Sequence, residues 1–287
     1  MRDFSEKVAV ITGGASGVGR AIAARLAGEG AQVLIADVDA ESIARTRDEL
    51  AIQGLTIDGM EVDVTRAESV DALAQRVFET YGNVHLLFNN AGVGIKEAKR
   101  RIWTIPEKDW QWTYAVNVMG VTNGIRAFVP RMLERGEEGH VINTSSGNGG
   151  IASLPTTPVY ASSKAAVTSL TEVLHFQLLM DQAKLQAHVL FPGPHLVNTN
   201  ILNSDRVRPD EFRIEGQEPA TYVDMKALAE SAGVEFQLTE PEEVADMAVE
   251  GIRHGRFWIL SELGKSDERL RVRTESILER KNPELAQ

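Results

Sequence analysis

Short β-prone apolar runs alternate with helical segments along most of this 287-residue chain, and this alternation limits the possible folds. Residues 7–12, KVAVIT, and residues 31–37, AQVLIAD, are apolar runs suited to strands that are buried on both faces. Between them, RAIAARLAGEG carries apolar side chains at helical spacing. Because β–α–β crossovers are right-handed and give parallel strands, the pattern predicts an α/β fold. We expect a doubly wound, Rossmann-like parallel sheet of about seven strands between two helical layers.

Two segments depart from this rhythm. Residues 199–239 are long, polar and weakly periodic, and residues 265–287 are charged and predicted to form a terminal helix. We expect a single domain over residues 1–287, with 199–239 inserted as a loop over a ligand crevice and 265–287 as a C-terminal extension. A surface excursion is the alternative for the first segment. The second is either a solvated tail or an oligomer contact.

Charge and composition argue against several classes of function. A formal net charge of −11 disfavours general binding to nucleic acid or to anionic membranes. The chain has no cysteine, so it forms no disulfide and no thiolate metal site, and no metal is predicted. No apolar run is long enough to cross a bilayer, and no signal-peptide pattern precedes the first strand. We therefore expect a cytoplasmic protein that acts on a small molecule.

A glycine-rich turn, TGGASGVGR at residues 12–20, connects the first strand to the first helix. Gly13, Gly17 and Gly19 permit a tight turn, and the start of the helix offers N–H groups to a pyrophosphate. The turn lacks the G-x-G-x-x-G spacing of one common dinucleotide site. Its glycines also fit a P-loop, but Arg20 stands where a nucleoside triphosphatase needs lysine, so that activity is not expected.

An acidic residue, Asp37, ends the second strand 18 residues after Gly19. A carboxylate in that place accepts hydrogen bonds from both hydroxyls of an adenosine ribose and repels a 2′-phosphate, which favours NAD over NADP. The alternative is that Asp37 caps the next helix, although Asp39 is equally placed to do so. Asp63 and Val64, at the end of the third strand, lie along the same edge, where an adenine would reach.

A tyrosine and a lysine, Tyr160 and Lys164, stand four residues apart in PVYASSKAA. Thr157 and Pro158 suit the N-cap and the first position of a helix, so both side chains lie on one helical face near its start. A phenol has a pKa of about 10. A nearby ammonium and a helix N-terminus both favour the phenolate, which would make Tyr160 usable as an acid or base near neutral pH.

At this point the sequence resembles the short-chain dehydrogenase/reductase family. The resemblance covers residues 7–199 and rests on motifs in the family's order. These are TGGASGVG (12–19), Asp37, DV (63–64), NNAG (89–92), Asn117 in VNVMG, INTSS (142–146), YASSK (160–164) and PGP (192–194). The resemblance implies a Rossmann-like fold and reversible hydride transfer between a nicotinamide and a carbonyl or secondary alcohol.

The resemblance also implies roles for single residues. Tyr160 is similar to the family's acid/base, and Lys164 to the residue that lowers its pKa and holds the nicotinamide ribose. Ser146 matches the serine that binds the substrate oxygen, and Asn117 the asparagine that holds a water in a proton relay. The expected cofactor-binding residues are Gly13, Ser16, Gly17, Val18, Gly19, Asp37, Asp63, Val64, Asn89, Asn90, Ala91, Gly92, Tyr160, Lys164, Pro192, Gly193 and Thr199.

The chain departs from the family's pattern at three places. The interval between Ser146 and Tyr160 is one residue longer than usual, which leaves Ser145 as an alternative. The PGPHLVNT segment is two residues longer than a common form, which puts the contact of Thr199 in doubt. FWILSELG stands where the family often has a DGG-type ending.

The substrate is expected to be a bulky hydrophobic or aromatic secondary alcohol. Its pocket would be shaped by residues 93–103, 147–157 and 199–239, which contain the apolar residues Ile151, Leu154, Ile201, Leu202, Phe212 and Tyr222. The lengthened loop and C-terminus are similar to those of family members acting on lignin-derived aryl carbinols. The basic residues Lys96, Lys99, Arg100 and Arg101 would either attract an acidic substrate or form a solvated face.

The helix after Tyr160 has apolar side chains on more than one face. In the family this helix packs against its symmetry mate, so a homodimer or homotetramer is expected. The alternative is that loops of the same chain cover it.

Two other functions compete with the dehydrogenase. A catalytically silent NAD-binding regulator would have the same fold but would not need the acid/base residues. A serine hydrolase is disfavoured because TSSGN is not a G-x-S-x-G elbow.

Overall fold

The structure is a computed structural model that describes residues 1–98, 100–216, 237–261 and 265–283. Its strands are β1 (Val8–Thr12), β2 (Gln32–Asp37), β3 (Asp58–Glu61), β4 (Leu86–Asn89), β5 (Gly139–Thr144), β6 (Leu185–Leu190), β7 (Leu196–Val197), β8 (Leu238–Thr239) and β9 (Trp258–Ile259). Its α-helices are α1 (Gly17–Gly28), α2 (Ala40–Ile52), α3 (Ala67–Tyr81), α4 (Glu107–Tyr114), α5 (Gly120–Arg135), α6 (Pro158–Met180), α7 (Pro241–Arg253) and α8 (Lys265–Glu279).

The main sheet has the strand order β3–β2–β1–β4–β5–β6–β9, and all of its neighbouring strands are parallel. This confirms the predicted Rossmann-like parallel sheet of seven strands with helices on both faces. The order reverses between β1 and β4, which places a crevice at the carboxyl ends of these strands. Within the described residues, β7 and β8 form a separate parallel pair that was not predicted.

The strands are buried on both faces because their side chains alternate between two cores. Ile11 and Ile35 pack with α1 and α7 on one side of the sheet. Val10, Leu34 and Leu87 pack with α3, α5 and α6 on the other. The apolar runs therefore serve both layers, as expected for strands of a parallel sheet.

The segments that broke the sequence pattern are only partly described. Within the predicted insertion, 3₁₀ turns cover Asn200–Val207 and Asp210–Phe212. The rest of that segment, residues 217–236, lies outside the described residues, and so does Tyr222. The terminal helix α8 is present and ends at Glu279. No helix in the described ranges has the length and apolar character needed to cross a membrane.

Parallel strands bring the predicted motifs to one edge of the sheet. The glycine turn follows β1, Asp37 ends β2, Asn90 follows β4, and Ser145 and Ser146 follow β5. These residues are far apart in sequence and meet because every strand points the same way.

Two histidines form a buried pair in the neighbouring strands β5 and β6. His188 Nδ1 donates to the carbonyl of Arg256 at 2.7 Å, so its Nε2 accepts from His140 Nδ1 at 2.8 Å. Both rings are at most 1 % exposed. Burial lowers the pKa of His140 and lowers that of His188 to about 4, because the charged form loses hydration.

Acid should weaken the fold through this pair. The unfolded chain binds a proton on His188 near pH 6.5, whereas the folded chain does so only near pH 4. Stability is therefore full above the unfolded pKa and falls as pH drops toward 4. We expect His188→Asn to reduce the loss in the free energy of unfolding between pH 7 and pH 5 by about 2 kcal/mol, measured by urea denaturation. The exposed His254→Asn serves as the control, and equal pH dependence in both variants would contradict this account.

Candidate active site

A cleft runs along the carboxyl edge of the sheet and collects most of the predicted site residues. The predicted residues that line it are Gly13, Ser16, Gly17, Val18, Asp37, Asp63, Val64, Asn90, Ala91, Gly92, Ser146, Tyr160, Lys164, Pro192 and Thr199. Gly19, Asn89, Asn117 and Gly193 are not part of the lining. Asn89 is buried behind it, where its amide donates to Asn143 Oδ1 at 2.8 Å.

The glycine turn brings bare backbone to the floor of the cleft. A Cβ on Gly19 would lie 2.2 Å from the Gly13 carbonyl oxygen, and one on Gly13 would lie 2.8 Å from the Cα of Ala91. Ser16, at the N-cap of α1, makes no side-chain capping hydrogen bond. The first N–H groups of α1 therefore suit a pyrophosphate, and the turn fits a dinucleotide.

The end of β2 presents a carboxylate to the cleft. Asp37 Oδ2 accepts from the Ala15 N–H at 3.1 Å and Oδ1 from the Asp39 N–H at 3.2 Å. Burial raises the pKa of Asp37, and these two hydrogen bonds oppose that rise. Asp39 is the residue that caps α2, through a hydrogen bond from Ser42 N–H at 3.0 Å. Asp37 is thus not needed as a cap and has acceptor capacity for ribose hydroxyls.

Lys164 is buried one helical turn after Tyr160, and both side chains reach the cleft. Lys164 is 3 % exposed, and its Nζ donates to the Thr144 carbonyl at 2.9 Å. It lies 5.8 Å from the centre of the Tyr160 ring. A Cβ on Gly92 would come within 3.3 Å of Nζ, so the bare backbone there makes room for the ammonium.

The pKa of Tyr160 moves in the opposite direction to the sequence-based expectation. Burial raises the pKa of Tyr160, and a hydrogen bond with Ser146 only opposes the rise. Burial also lowers the pKa of Lys164 to about 8. In the protein alone, desolvation of the phenol outweighs the hydrogen bond that favours the phenolate. The expectation that the ammonium and the helix N-terminus make the phenol more acidic is therefore corrected for the protein alone.

The structure distinguishes the two serines of the INTSS motif. Ser145 is 1 % exposed, and its hydroxyl bonds to the Lys164 carbonyl and to Thr168 Oγ1, both at 2.8 Å. Ser146 is less buried and hydrogen-bonds with Tyr160. The turn Gly147–Ile151 follows, and Ser146 caps it by accepting from the Asn148 N–H at 3.2 Å. Ser146 therefore lies beside the Tyr160 hydroxyl, while Ser145 joins α6 to the end of β5.

Asn117 lies in a π-helical turn, Ala115–Met119, between α4 and α5. Its side chain is fully buried and bonds Val93 twice, accepting from the N–H at 2.8 Å and donating to the carbonyl at 3.1 Å. It also donates to Ser163 Oγ at 3.0 Å. The side chain thus joins the loop after β4 to α6.

The segment after residue 199 covers the cleft. Thr199 packs on the glycine turn, because a Cβ on Gly17 would lie 2.8 Å from its Cγ2. Farther along, Arg206 also lines the cleft and forms an ion pair with Asp39 at the start of α2. The segment therefore reaches from the middle of the cleft to the end that holds Asp37.

Apolar side chains contribute much of the cleft lining. Val93, Ile201, Val207 and Pro209 belong to the segments predicted to shape the pocket, whereas Trp112, Val116, Leu196 and Val197 were not predicted. Phe212 instead packs against the core, and Ile151 is buried beside Phe191.

The basic run does not point into this pocket. Arg100 pairs with the buried Asp109 at 3.0 Å, and Arg208 pairs with the same carboxylate at 2.7 Å. The Arg208 guanidinium also lies 4.8 Å from the centre of the Trp112 ring. These contacts hold three segments of the pocket wall together. Lys99 lies outside the described residues.

A buried carboxylate, Glu97, was also missed by sequence reasoning. It accepts from the N–H groups of Val159 and Tyr160 at the start of α6. The available signal was indirect: no Glu or Gln stands at the position in α6 where a capping box requires one. The first-turn donors therefore needed a partner from elsewhere in the chain.

Comparison with known proteins settles the family. A family model described as short chain dehydrogenase matches residues 7–208. The chain is a short-chain dehydrogenase/reductase. In this dehydrogenase/reductase, the matched region contains the glycine turn, the serine pair and the Tyr160–Lys164 pair.

Solved and characterised relatives resemble it over nearly its whole length. A short-chain dehydrogenase/reductase from Burkholderia phymatum, in complex with NAD, is 39 % identical with a TM-score of 0.89 and covers 100 % of this chain and 99 % of its own. A C alpha-dehydrogenase of Sphingobium is 31 % identical over 91 % of this chain and 82 % of its own. An alcohol dehydrogenase from Thermococcus sibiricus, complexed with 5-hydroxy-NADP, is 25 % identical with a TM-score of 0.66. The match covers 86 % of this chain and 90 % of that chain.

Gly19 should be intolerant of a side chain. We expect Gly19→Ala to weaken binding of NAD or NADP at least about 10-fold, because the added Cβ overlaps the Gly13 carbonyl and moves the turn. Titration calorimetry measures the affinity. The control is Gly28→Ala in the same helix, where a Cβ meets nothing within 4 Å. This control should bind NAD or NADP with wild-type affinity. Equal affinity in both variants would contradict the role of the tight glycine turn in cofactor binding.

Proposed function

We propose that this protein is an NAD-dependent dehydrogenase that interconverts a bulky hydrophobic or aromatic secondary alcohol and its ketone. The observation that carries the proposal is the meeting of Ser146, Tyr160 and Lys164 in the same cleft as the glycine turn and Asp37. Membership of an oxidoreductase family supports the reaction class. The catalytically silent regulator is the alternative, and the complete acid/base set disfavours it.

Tyr160 acts as the general acid and base in this proposal. As phenolate, its oxygen takes the proton of the alcohol during oxidation, and as phenol it returns that proton to the ketone oxygen during reduction. Ser146, which hydrogen-bonds with the phenol, holds the substrate oxygen and stabilises its developing charge. When bound, oxidised NAD would supply the hydride acceptor and a positive charge.

Lys164 holds the nicotinamide ribose and supports the phenolate electrostatically. An ammonium has three donors, and one of them goes to the Thr144 carbonyl, which fixes Nζ in the cleft. Asn117 contributes through the backbone of its π-turn and through Val93, whose loop it anchors. We propose that this turn positions the water of a proton relay.

The proposed cofactor is NAD. Asp37 would accept hydrogen bonds from the adenosine ribose and repel a 2′-phosphate. Asp39 adds a second negative charge nearby, although its ion pair with Arg206 partly offsets it. The NAD complex of the Burkholderia relative supports this choice.

The proposed substrate is large and apolar. Trp112, Val116 and Ile201 contribute apolar surface to the cleft. The likeness to a C alpha-dehydrogenase supports an alcohol of the aryl carbinol type. The proposed oligomer is a homodimer or homotetramer, supported by exposed apolar residues on α6 such as Val173, Phe176 and Leu179.

The central experiment is a panel of secondary alcohols, from small aliphatic to bulky aryl, assayed with NAD and NADP in parallel. We expect bulky aryl alcohols with NAD to give the highest kcat/KM. Tyr160→Phe should lower kcat by a factor of about 10³, because the proton acceptor is lost, while the Kd for NAD changes little. Better turnover with NADP would overturn the role of Asp37. Full turnover by Tyr160→Phe would overturn the mechanism, and absence of turnover in the wild type would favour the regulator.

The two serines provide a matched pair of variants. Ser146→Ala should lower kcat by about 10²-fold or more with little change in the free energy of unfolding, because it removes a donor to the substrate oxygen. Ser145→Ala should instead cost about 1–3 kcal/mol of stability, because Thr168 and the Lys164 carbonyl lose a buried partner. Steady-state kinetics and urea denaturation measure the two effects. The reverse pattern would make Ser145 the substrate-binding serine.

A further inference from the structure

One buried carboxylate lies directly against the start of the helix that carries Tyr160. Glu97 is 1 % exposed and belongs to the loop after β4. One oxygen accepts from the Val159 N–H at 2.8 Å and the other from the Tyr160 N–H at 3.0 Å. Both oxygens of a single side chain are thus committed to the backbone of the first turn of α6.

Glu97 accepts hydrogen bonds from first-turn N–H groups of α6 that no local residue binds. Pro158 has no N–H, and the N–H of Ala161 already bonds the Thr157 carbonyl at 2.9 Å. Thr157 occupies the N-cap but makes no capping bond, because its hydroxyl accepts from Asn148 Nδ2 at 2.6 Å. The two N–H groups between Pro158 and Ala161 are those that Glu97 binds. Without it, these donors would lose their buried partner.

The same loop forms the wall of the cofactor cleft. Gly92 and Val93 line the cleft, and Asn117 holds Val93 by two hydrogen bonds. The N–H of Gly94 donates to Ser204 Oγ at 3.2 Å, which ties the loop to the segment above the cleft. Glu97 therefore connects a wall that contacts the cofactor to the turn that carries the phenol.

We propose that Glu97 is a positioning residue that sets the distance between the bound nicotinamide and the Tyr160 hydroxyl. This inference rests on the proposed function. Glu97 acts through the backbone of Tyr160, so its loss lets the first turn of α6 move relative to the cleft wall. A displacement of about 1 Å is enough to lower a rate by about 10²-fold.

Charged groups nearby define how the site titrates. Burial raises the pKa of Glu97, and the two backbone N–H groups oppose that rise. The Asp109 carboxylate of α4 also raises it, although Arg100 and Arg208 pair with Asp109. Lys164 is the cation that faces Tyr160 from within α6. If the first turn shifts, Tyr160 loses part of the support from Lys164 and from the nicotinamide.

The test compares Glu97→Gln and Glu97→Ala with the wild type. Gln keeps one acceptor and Ala keeps none, so kcat should fall about 10-fold and about 100-fold respectively. The Kd for NAD should stay within about 3-fold, because the glycine turn and Asp37 are untouched. The pH midpoint of kcat should rise toward the ordinary phenol value of about 10 in both variants. If the Ala variant does not fold, the Gln variant alone carries the test.

Glu240→Gln is the matched control. The Glu240 carboxylate caps α7 in a capping box, so its loss weakens a helix start of the same kind at a different helix. It should lower thermal stability without moving the pH midpoint. An unchanged midpoint in Glu97→Gln, or an equal shift in Glu240→Gln, would overturn the inference. Full activity of Tyr160→Phe would instead overturn the proposed function, so the two failures can be told apart.

Discussion

The burial of the Lys164 ammonium is the constraint on which the rest of the site depends. Burying a cation costs several kcal/mol unless partners surround it. The chain meets this cost by bringing the Thr144 carbonyl at the end of β5 to Nζ, and by leaving Gly92 without a side chain beside it. Ser145 holds the backbone of Lys164 against β5. The low pKa of the lysine, about 8, is the measure of its desolvation.

The parallel sheet turns this local arrangement into a site. Because all strands of the main sheet point the same way, the glycine turn, Asp37 and the loop after β4 meet at one edge. Close backbone approach between Gly13 and Gly19 keeps the glycine turn tight, and Thr199 packs on Gly17 of the same turn. Trp112, which lines the cleft, packs against Arg208, and Arg208 is held by Asp109. The glycine turn, Asp37 and the Tyr160–Lys164 pair thus line one cleft.

Local patterns made the fold and much of the cleft predictable from sequence. The apolar runs, the glycine turn and the Tyr160–Lys164 spacing each depend on neighbours within a few residues. Glu97 was not predictable in this way, because its partner Val159 is 62 residues away in sequence. No sequence motif indicates this contact. The pairing of β7 with β8 and the contact of Arg208 with the Trp112 ring also join residues that are far apart in sequence, so they were not predictable either. The pKa of Tyr160 was misjudged because helical spacing reports proximity, whereas desolvation depends on burial by the whole fold.

The most direct test of the account is the pKa of Tyr160 in the NAD complex, followed by tyrosinate absorbance. The chain has four tyrosines, and Tyr160→Phe provides the blank that isolates one of them. The account predicts that NAD lowers the pKa of Tyr160 below the ordinary value of about 10 in the wild type, and that it fails to do so in Lys164→Met. The same pKa in both proteins would contradict the claim that the buried lysine makes the phenol a proton carrier beside the cofactor.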